Sequence, residues 1–443
     1  MSFEKQSLGI LREALGRLEE GFGDLPAFDS DADMAGSRRV LMEAADKLQD
    51  NYPYHHPLYA GQMLKPPHPV ARLAYMLAMW INPNNHALDG GRASSAMEKE
   101  AVADIAEMFG WDTHLGHLCG GGTIANMEAL WVAGSLHPGK KIVASAQAHY
   151  THSRLAGVLH LPFQAVACDG RARMDLNALE DVLKQRDVGT VVATMGTTAA
   201  GAVDPLPGIL RLREKYPFRL HADAAYGGYF TLAGNLDEDT RQSFDRLSEA
   251  DSIVIDPHKH GLQPYGCGCV LFRDPSVGTI YKHDSPYTYF SSADLHLGEI
   301  SLECSRAGAS AVALWSTMRM FPLVRGGQFA RGLERGRQAA LMLFDKIAGC
   351  KDYFTLFRPE LDILVWVPAA RRASEMSLRS KKIFHSAARR DLHLAVAGFP
   401  KEILENILDV EWDRREITCL RSCLMKPGHV DWVDHIAKML KDF

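Results

Sequence analysis

Short β-rich runs alternate with segments of helical periodicity between residues 61 and about 325. Strands that alternate with helices predict a mostly parallel sheet that is covered by helices on both faces. In such a sheet, ligands bind at the carboxyl ends of the strands. The predicted strands are 141–146, 164–167, 190–194, 219–222, 252–255 and 268–272.

The regions before and after this segment have different sequence patterns. Residues 1–60 begin with leucines at helical spacing and predict an N-terminal helical segment. Beyond the alternating segment, charged helical patterns surround two further β-rich runs, at 362–367 and 416–424. We therefore predict a large α/β domain over 61–325 and a smaller α+β C-terminal domain over 326–443.

The composition argues against several classes of protein. The chain has 49 Lys and Arg against 54 Asp and Glu, and its net charge of −5 does not indicate the excess of positive charge typical of a nucleic-acid-binding protein. The most apolar segment, 71–81, is too short to span a bilayer. Eight scattered cysteines form no disulfide framework, and Cys267-Gly268-Cys269 lacks the second pair expected of a metal site. We expect a cytoplasmic protein with no nucleic-acid, membrane or metal partner.

The predicted strand 252–255 runs into Asp256-Pro257-His258-Lys259. Lysine is rarely buried unless its amine has a function. An amine in a dry site loses its proton more easily and can form a Schiff base with an aldehyde. Pyridoxal phosphate is the aldehyde cofactor that many enzymes hold in this way. Taken alone, a lysine at a strand end is more often an ordinary surface residue.

Two further motifs lie where the same cofactor would need them. Gly120-Gly121-Gly122-Thr123 precedes a helical pattern, so free backbone N–H groups there could bind a phosphate, although a flexible turn is the alternative. Asp223 ends a strand and could pair with a protonated pyridine nitrogen, with the small Ala225 leaving room for the ring. A helix N-cap is the alternative role for this aspartate.

The order of these motifs resembles the pyridoxal-dependent amino-acid decarboxylase family. The resemblance runs from about residue 57 to residue 440, and the short loops are most similar to the archaeal-type tyrosine/aspartate decarboxylases. It implies the fold-type I architecture of pyridoxal phosphate enzymes and a homodimer with active sites at the interface. It also implies decarboxylation of an L-amino acid to the amine and carbon dioxide. The matching motifs are Gly121-Gly122-Thr123-Ile124-Ala125-Asn126, His149, His221-Ala222-Asp223-Ala224-Ala225-Tyr226, Asp256-Pro257-His258-Lys259 and Ser305-Arg306-Ala307-Gly308.

The resemblance also implies roles for single residues. Lys259 would bind the cofactor aldehyde, Asp223 would pair with the ring nitrogen, and His149 would stack on the ring. Two departures, Ile124 in the glycine motif and His260 after the lysine, leave the substrate side open. The full set implied for the cofactor is Gly122, Thr123, His149, Thr194, Asp223, Ala225, His258 and Lys259.

The substrate side is less specific. Tyr287 and Tyr289 are candidates for the residue that returns a proton to the substrate, with packed aromatic rings as the alternative. Arg421 or Arg306 could contact the substrate carboxylate, although tight binding there would stabilise the ground state and slow its departure. Structural pairing is the alternative for both arginines. His86 is expected near the pocket entrance.

Other functions on the same fold stay open. A pyridoxal-dependent carbon–carbon lyase or aldehyde synthase would use the same cofactor residues and differ only in its products. A non-catalytic pyridoxal-binding protein would have no need for the combination of Lys259, Asp223 and His149. The sequence does not specify the amino acid.

Overall fold

A computed structural model of the chain describes residues 5–26, 33–282 and 296–443. Its helices are α1 (Lys5–Glu20), α2 (Met34–Leu48), α3 (Pro69–Met79), α4 (Leu88–Met108), α5 (Gly122–Leu136), α6 (Thr151–Val158), α7 (Leu176–Leu183), α8 (Leu206–Lys215), α9 (Glu238–Asp245), α10 (Gly278–Tyr281), α11 (Gly308–Met320), α12 (Gln328–Ala348), α13 (Ala373–Ala388), α14 (Lys401–Leu404) and α15 (Val433–Leu440). Its strands are β1 (Leu115–Cys119), β2 (Lys141–Ser145), β3 (Phe163–Val166), β4 (Val188–Thr194), β5 (Arg219–Asp223), β6 (Ser252–Ile255), β7 (Gly268–Phe272), β8 (Tyr353–Thr355), β9 (Ile363–Pro368), β10 (Ala395–Pro400) and β11 (Glu416–Cys423).

The large sheet has seven strands in the order β1-β7-β6-β5-β4-β2-β3. β7 runs antiparallel to β1 and β6, and the other neighbours are parallel. Every residue of the interior strand β4 is buried, which explains why its sequence contains no charged residue. The prediction of an α/β fold with a mostly parallel sheet is confirmed.

The sequence prediction missed one strand of this sheet, β1. Its sequence, Leu-Gly-His-Leu-Cys, breaks the apolar run with a glycine and a histidine. His117 is nevertheless buried, because its Nε2 lies 2.8 Å from Oε2 of Glu128 on α5. A buried polar pair of this kind is invisible to hydrophobic periodicity.

The C-terminal part contains a second sheet. Its four strands are all antiparallel and lie in the order β10-β11-β9-β8. Ile363 and Val365 of β9 belong to the same apolar core as Met195 and Tyr226, which follow the carboxyl ends of β4 and β5. The predicted smaller α+β part is therefore present and packs against the carboxyl edge of the large sheet.

The sheet order brings two motifs together. β5 and β6 are adjacent and parallel, with Asp223 opposite Val254. Asp223 at the end of β5 and Lys259 just after β6 therefore lie at the same edge of the sheet. None of the helices in the described ranges combines the length and hydropathy that a membrane span needs.

Candidate active site

A cavity of about 320 Å³ lies at this edge of the sheet, next to the N-terminus of α5. Parallel strands end together here, so residues far apart in sequence share one wall. All eight residues expected to bind the cofactor line the cavity. They are Gly122, Thr123, His149, Thr194, Asp223, Ala225, His258 and Lys259.

Lys259 faces this cavity. Its side chain is 21% exposed, and its Nζ lies 2.8 Å from Oδ2 of Asp256. Burial favours the neutral amine, but the charges of Asp256 and Asp223 together outweigh it and raise the pKa of Lys259 above its usual value. The expectation that a dry site lowers this pKa is therefore wrong for this arrangement.

Asp223 is buried and bound to a histidine. Its Oδ2 accepts a hydrogen bond from Nε2 of His152 on α6 at 2.8 Å, and its Oδ1 accepts one from the backbone of Ala225 at 3.2 Å. Burial would raise the pKa of Asp223, but the hydrogen bond and charge of His152, assisted by Lys259, hold it well below its usual range. The carboxylate is therefore anionic at neutral pH.

His149 follows β2 and is partly exposed to the cavity. Its Nδ1 lies 2.5 Å from the hydroxyl of Thr151. Burial lowers the pKa of His149, so the ring is neutral near pH 7. A neutral, oriented imidazole can lie against a flat ring without carrying a charge to it.

The glycine turn before α5 is shaped for close approach. Gly121 has φ of +147°, a conformation that residues with a β-carbon rarely adopt. A β-carbon on Gly268 of β7 would lie 2.6 Å from the backbone of Gly121, so the strand and the turn touch. His258 completes this wall: its Nδ1 donates to the carbonyl of Cys267 at 2.8 Å, and its ring stacks on Tyr265 at 4.5 Å.

Comparison with known proteins decides the family. Residues 52–365 match the pyridoxal-dependent decarboxylase conserved domain. The chain belongs to the pyridoxal-dependent decarboxylase family. It is a carboxy-lyase that uses pyridoxal phosphate to decarboxylate an amino acid.

Relatives of this decarboxylase carry related names. The L-tyrosine decarboxylase of Enterococcus faecium is 28% identical, over 88% of this chain and 85% of that protein. The probable L-tyrosine/L-aspartate decarboxylase of Methanothermobacter thermautotrophicus is 27% identical, over 73% of this chain and 86% of that one. Among solved structures, mouse CSAD in apo form has a TM-score of 0.78 at 19% identity and covers 96% of this chain and 91% of its own. This last likeness shows the fold, which is that of the fold-type I pyridoxal phosphate enzymes.

The cavity fits pyridoxal phosphate. Oγ1 of Thr194 and Oδ1 of Asp256 are buried in its wall and have no hydrogen-bond partner among the described residues, which is unusual in a folded protein. The free N–H groups at the start of α5 suit a phosphate, and anionic Asp223 suits a protonated ring nitrogen. The residues present therefore match the three polar parts of the cofactor: phosphate, ring nitrogen and aldehyde.

The structure does not bring the residues expected on the substrate side into the described wall of the cavity. Nη1 of Arg306 lies 2.6 Å from Oε1 of Glu98 and also 2.6 Å from the carbonyl of Leu118, so this arginine braces the end of β1. His86 lies on the loop before α4, where its carbonyl accepts a hydrogen bond from Gly298 at 2.9 Å.

Arg421 lies directly behind the cavity wall. Its Nη1 donates to the carbonyl of Thr198 at 2.5 Å, and its Nη2 donates to Oε1 of Gln62 at 2.9 Å. Thr198 itself lines the cavity. Tyr287 and Tyr289, the candidates for proton return, lie outside the described residues.

Sequence reasoning missed three residues of the site: His152, Asp256 and Tyr265. His152 lies at the start of α6, behind the cavity wall, and its position three residues after His149 was the only signal that it belongs to the site. Asp256 precedes Lys259 by three positions, and the sequence indicates it only as part of the motif 256–259. Tyr265 gave no signal, because its contact with His258 depends on the turn between β6 and β7.

Proposed function

We propose that this decarboxylase acts on an L-amino acid with an uncharged side chain, L-tyrosine being the first candidate, and releases the amine. The charge of the cavity carries this proposal. Among the described lining residues, Lys259 is the only lysine or arginine, and it is outnumbered by Asp223 and Asp256. The side-chain carboxylate of an aspartate or glutamate substrate would add a third negative charge at close range.

The roles of the chain's own residues follow from their positions. Pyridoxal phosphate, when bound, supplies a carbonyl carbon for an amine and a conjugated ring that takes up the electron pair left by departing carbon dioxide. We propose that Lys259 holds the cofactor aldehyde through its Nζ and that Asp223 keeps a proton on the ring nitrogen. His152 keeps Asp223 ionised for this purpose.

Other residues hold the cofactor in place. We propose that Gly122 and Thr123 bind the phosphate with the free N–H groups of α5, and that His258 adds a contact. His149 would lie against one face of the ring, and the small Ala225 would leave room at the other. The hydroxyl of Thr194, which has no partner in the described parts of the chain, is available for a hydrogen bond from this side of the cavity.

Arg421 is the better candidate for the substrate carboxylate. Its Nε is buried and has no partner among the described residues. Its Nη1 binds the carbonyl of Thr198, so only this residue separates the guanidinium from the cavity. A guanidinium at this distance can orient the substrate carboxylate without the tight contact that would hinder its departure as carbon dioxide. We assign Arg306 and His86 to bracing the walls of the site from outside it.

Tyr287 and Tyr289 are our proposal for the return of the proton to the substrate carbon. The test replaces each by phenylalanine, which removes only the hydroxyl. We expect one of the two variants to lose turnover or to release a carbonyl product in place of the amine. Unchanged turnover and product in both variants would show that neither tyrosine returns the proton.

We also propose that the enzyme is a cytoplasmic homodimer. α2 has no buried residue, and its Met34, Val40, Leu41 and Leu48 are each more than half exposed in the single chain, which supports a second subunit as their cover. All eight cysteines are free thiols, which supports a reducing compartment. Light scattering after size-exclusion chromatography tests the dimer.

The decisive experiment identifies the product. The protein loaded with pyridoxal phosphate is incubated with each of the twenty amino acids, with diaminobutyrate and with cysteate, and the products are read by mass spectrometry. We expect tyramine from L-tyrosine and little product from L-aspartate. Faster decarboxylation of L-aspartate would contradict the charge argument, and an aldehyde with ammonia would indicate an aldehyde synthase. Lys259→Ala, which cannot form the Schiff base, is the inactive control.

A further inference from the structure

A second cavity, of about 660 Å³, shares no lining residue with the first. Its walls come from residues 65–69, from His260 and Leu262, from the beginning of α12, and from Lys426 with Pro427. Although His260 directly follows Lys259 in sequence, its ring belongs to this cavity and not to the cofactor site.

The second cavity is strongly cationic. Of the described residues that line it, five are lysine or arginine and none is aspartate or glutamate. Such an excess of one charge in a concave site raises the local concentration of oppositely charged ligands. The five cationic residues are Lys65, Arg72, Arg331, Arg335 and Lys426.

Two of these basic side chains lie inside the cavity and have no direct contact with a carboxylate of the described residues. Lys426 is 8% exposed, and its Nζ donates to the carbonyl of Tyr59 at 2.6 Å. Nζ of Lys65 lies 3.4 Å from the carbonyl of Met425. Burial lowers the pKa of Lys65 to about 8, and burial together with the charge of Lys65 lowers the pKa of Lys426 to about 7. Carbonyl oxygens accept these hydrogen bonds but do not balance the charges.

The nearest carboxylates are engaged elsewhere. Oδ1 of Asp362 accepts a hydrogen bond from the hydroxyl of Tyr226 at 2.5 Å, and its Oδ2 lies 3.3 Å from Nε2 of His260. Burial raises the pKa of Asp362 to about 6, so this carboxylate is still mainly ionised near pH 7, but both of its oxygens already contact other side chains. Asp431 pairs with Arg335 at 2.7 Å on the exposed rim.

His260 gives an independent indication of a ligand. It is 1% exposed and lines the cavity. Its Nδ1 makes no hydrogen bond to any described residue, and its Nε2 has only the long, poorly aligned contact of 3.3 Å with Oδ2 of Asp362. Its ring is held edge-on by Tyr226 and Phe230, at 4.8 and 5.1 Å between centroids. Buried polar atoms without partners are rare, and a bound ligand group is one way to satisfy them.

We propose that this second cavity binds a small organic anion, with a carboxylate or phosphate group held between Lys65 and Lys426 within reach of His260. The rest of the wall indicates the remainder of the ligand, because Pro66, Phe329 and Leu333 present an apolar surface. A ligand with an anionic head and a compact apolar body satisfies both parts.

The test measures binding to the full-length protein loaded with pyridoxal phosphate, so that the phosphate-binding turn before α5 in the first cavity is already occupied. Isothermal titration calorimetry compares phenyl phosphate, benzoate, inorganic phosphate and the neutral benzyl alcohol. We expect one of the two aromatic anions to bind more tightly than inorganic phosphate, and benzyl alcohol not to bind. The stronger of the two identifies the head group. Failure of both aromatic anions to bind at millimolar concentration would overturn the proposal.

Variants locate the binding site. Lys65→Met keeps the length of the side chain and should weaken binding of the aromatic anion by about tenfold, the usual effect of losing a charge-assisted hydrogen bond. Arg331→Gln changes an exposed residue at the rim, away from the apolar core, and it should weaken binding at least threefold. Lys346→Gln, on the same helix α12 but outside the cavity, is the matched control.

Crystals soaked in 4-bromophenyl phosphate give a direct readout, because the anomalous signal of bromine marks the ligand. We expect a peak against Phe329. Equal binding by Arg331→Gln and Lys346→Gln, or a bromine peak only outside this cavity, would refute the site.

Discussion

Replacing His152 by leucine would test the electrostatics at the centre of the active site. His152 is 0% exposed, and its Nε2 donates to Oδ2 of Asp223 at 2.8 Å. Its Nδ1 makes no hydrogen bond to any described residue, so the substitution removes one hydrogen bond and leaves the volume nearly unchanged. We expect Asp223 to remain buried but to lose the contact that favours its ionised form.

The size of the effect follows from the geometry. A hydrogen bond to a charged group contributes about 1.5–3 kcal/mol. If the whole amount is lost from the ionised form of Asp223, then kcat/KM falls by roughly 10- to 150-fold, since about 1.4 kcal/mol corresponds to a factor of ten. Burial is then opposed only by more distant charges, so the pKa of Asp223 rises. The acid limb of the pH–rate profile should therefore move to higher pH.

The assay is the pH dependence of kcat and of the visible absorbance of the bound cofactor, for the wild type and two variants. His152→Gln supplies an N–H donor near the position of Nε2 and should restore much of the activity and the position of the acid limb. Wild-type kcat and an unmoved acid limb in His152→Leu would refute the role of this hydrogen bond. A loss of protein stability alone would not move the pH profile, which separates a positioning role from a structural one.

Three further predictions concern the walls around the site. Gly268→Ala forces a β-carbon to within 2.6 Å of the backbone of Gly121, and overpacking of this kind should weaken cofactor binding by roughly tenfold in a fluorescence titration. Arg306→Met leaves buried Glu98 without its cation and should destabilise the fold by about 3–5 kcal/mol in urea, with little change in KM. Burial raises the pKa of Asp362 from 3.8 to about 6, so its contribution to stability is present below pH 3.8 and is lost as the pH rises through 6. It amounts to about 3 kcal/mol, and Asp362→Asn should remove this pH dependence from the urea midpoint between pH 4 and 8.

Each of these predictions has an outcome that contradicts it. Gly170→Ala, where a β-carbon meets nothing within 4 Å, is the control for Gly268, and equal cofactor affinity in the two variants would show that the turn yields to the strand. A raised KM with unchanged stability in Arg306→Met would indicate that this arginine contacts the substrate. A wild-type pH slope in Asp362→Asn would show that other groups set the stability in this range.

Much of the sheet could be predicted because its strands are buried on both faces. β4 is written as Val-Gly-Thr-Val-Val-Ala-Thr, a run that helical periodicity does not explain. Three strands could not be predicted from local pattern. β1 contains a histidine that is buried only through a partner on α5, β8 has three residues, and β10 has an alternating pattern interrupted by glycine.

The cofactor side of the site was more predictable than the substrate side for a physical reason. Asp223 ends a strand, Lys259 and His149 each follow one, and the ends of parallel strands meet at one edge of the sheet. Arg306 and Arg421 have long side chains whose destination depends on acceptors elsewhere in the fold. Arg306 binds the carboxylate of Glu98, and Arg421 binds the carbonyl of Thr198.

The charge of Lys259 shows why a strand-end position does not by itself determine reactivity. Burial alone favours the neutral amine, but Asp256 lies three residues earlier and its carboxylate is 2.8 Å from Nζ, while Asp223 faces the same cavity. Together they keep the amine protonated. In the proposed function Asp223 pairs with the ring nitrogen of the cofactor, so Asp256 is the carboxylate left to face an amino acid that enters the cavity. Asp256 is therefore placed to attract the substrate amine, and a substrate with a second carboxylate gains less from it than one without.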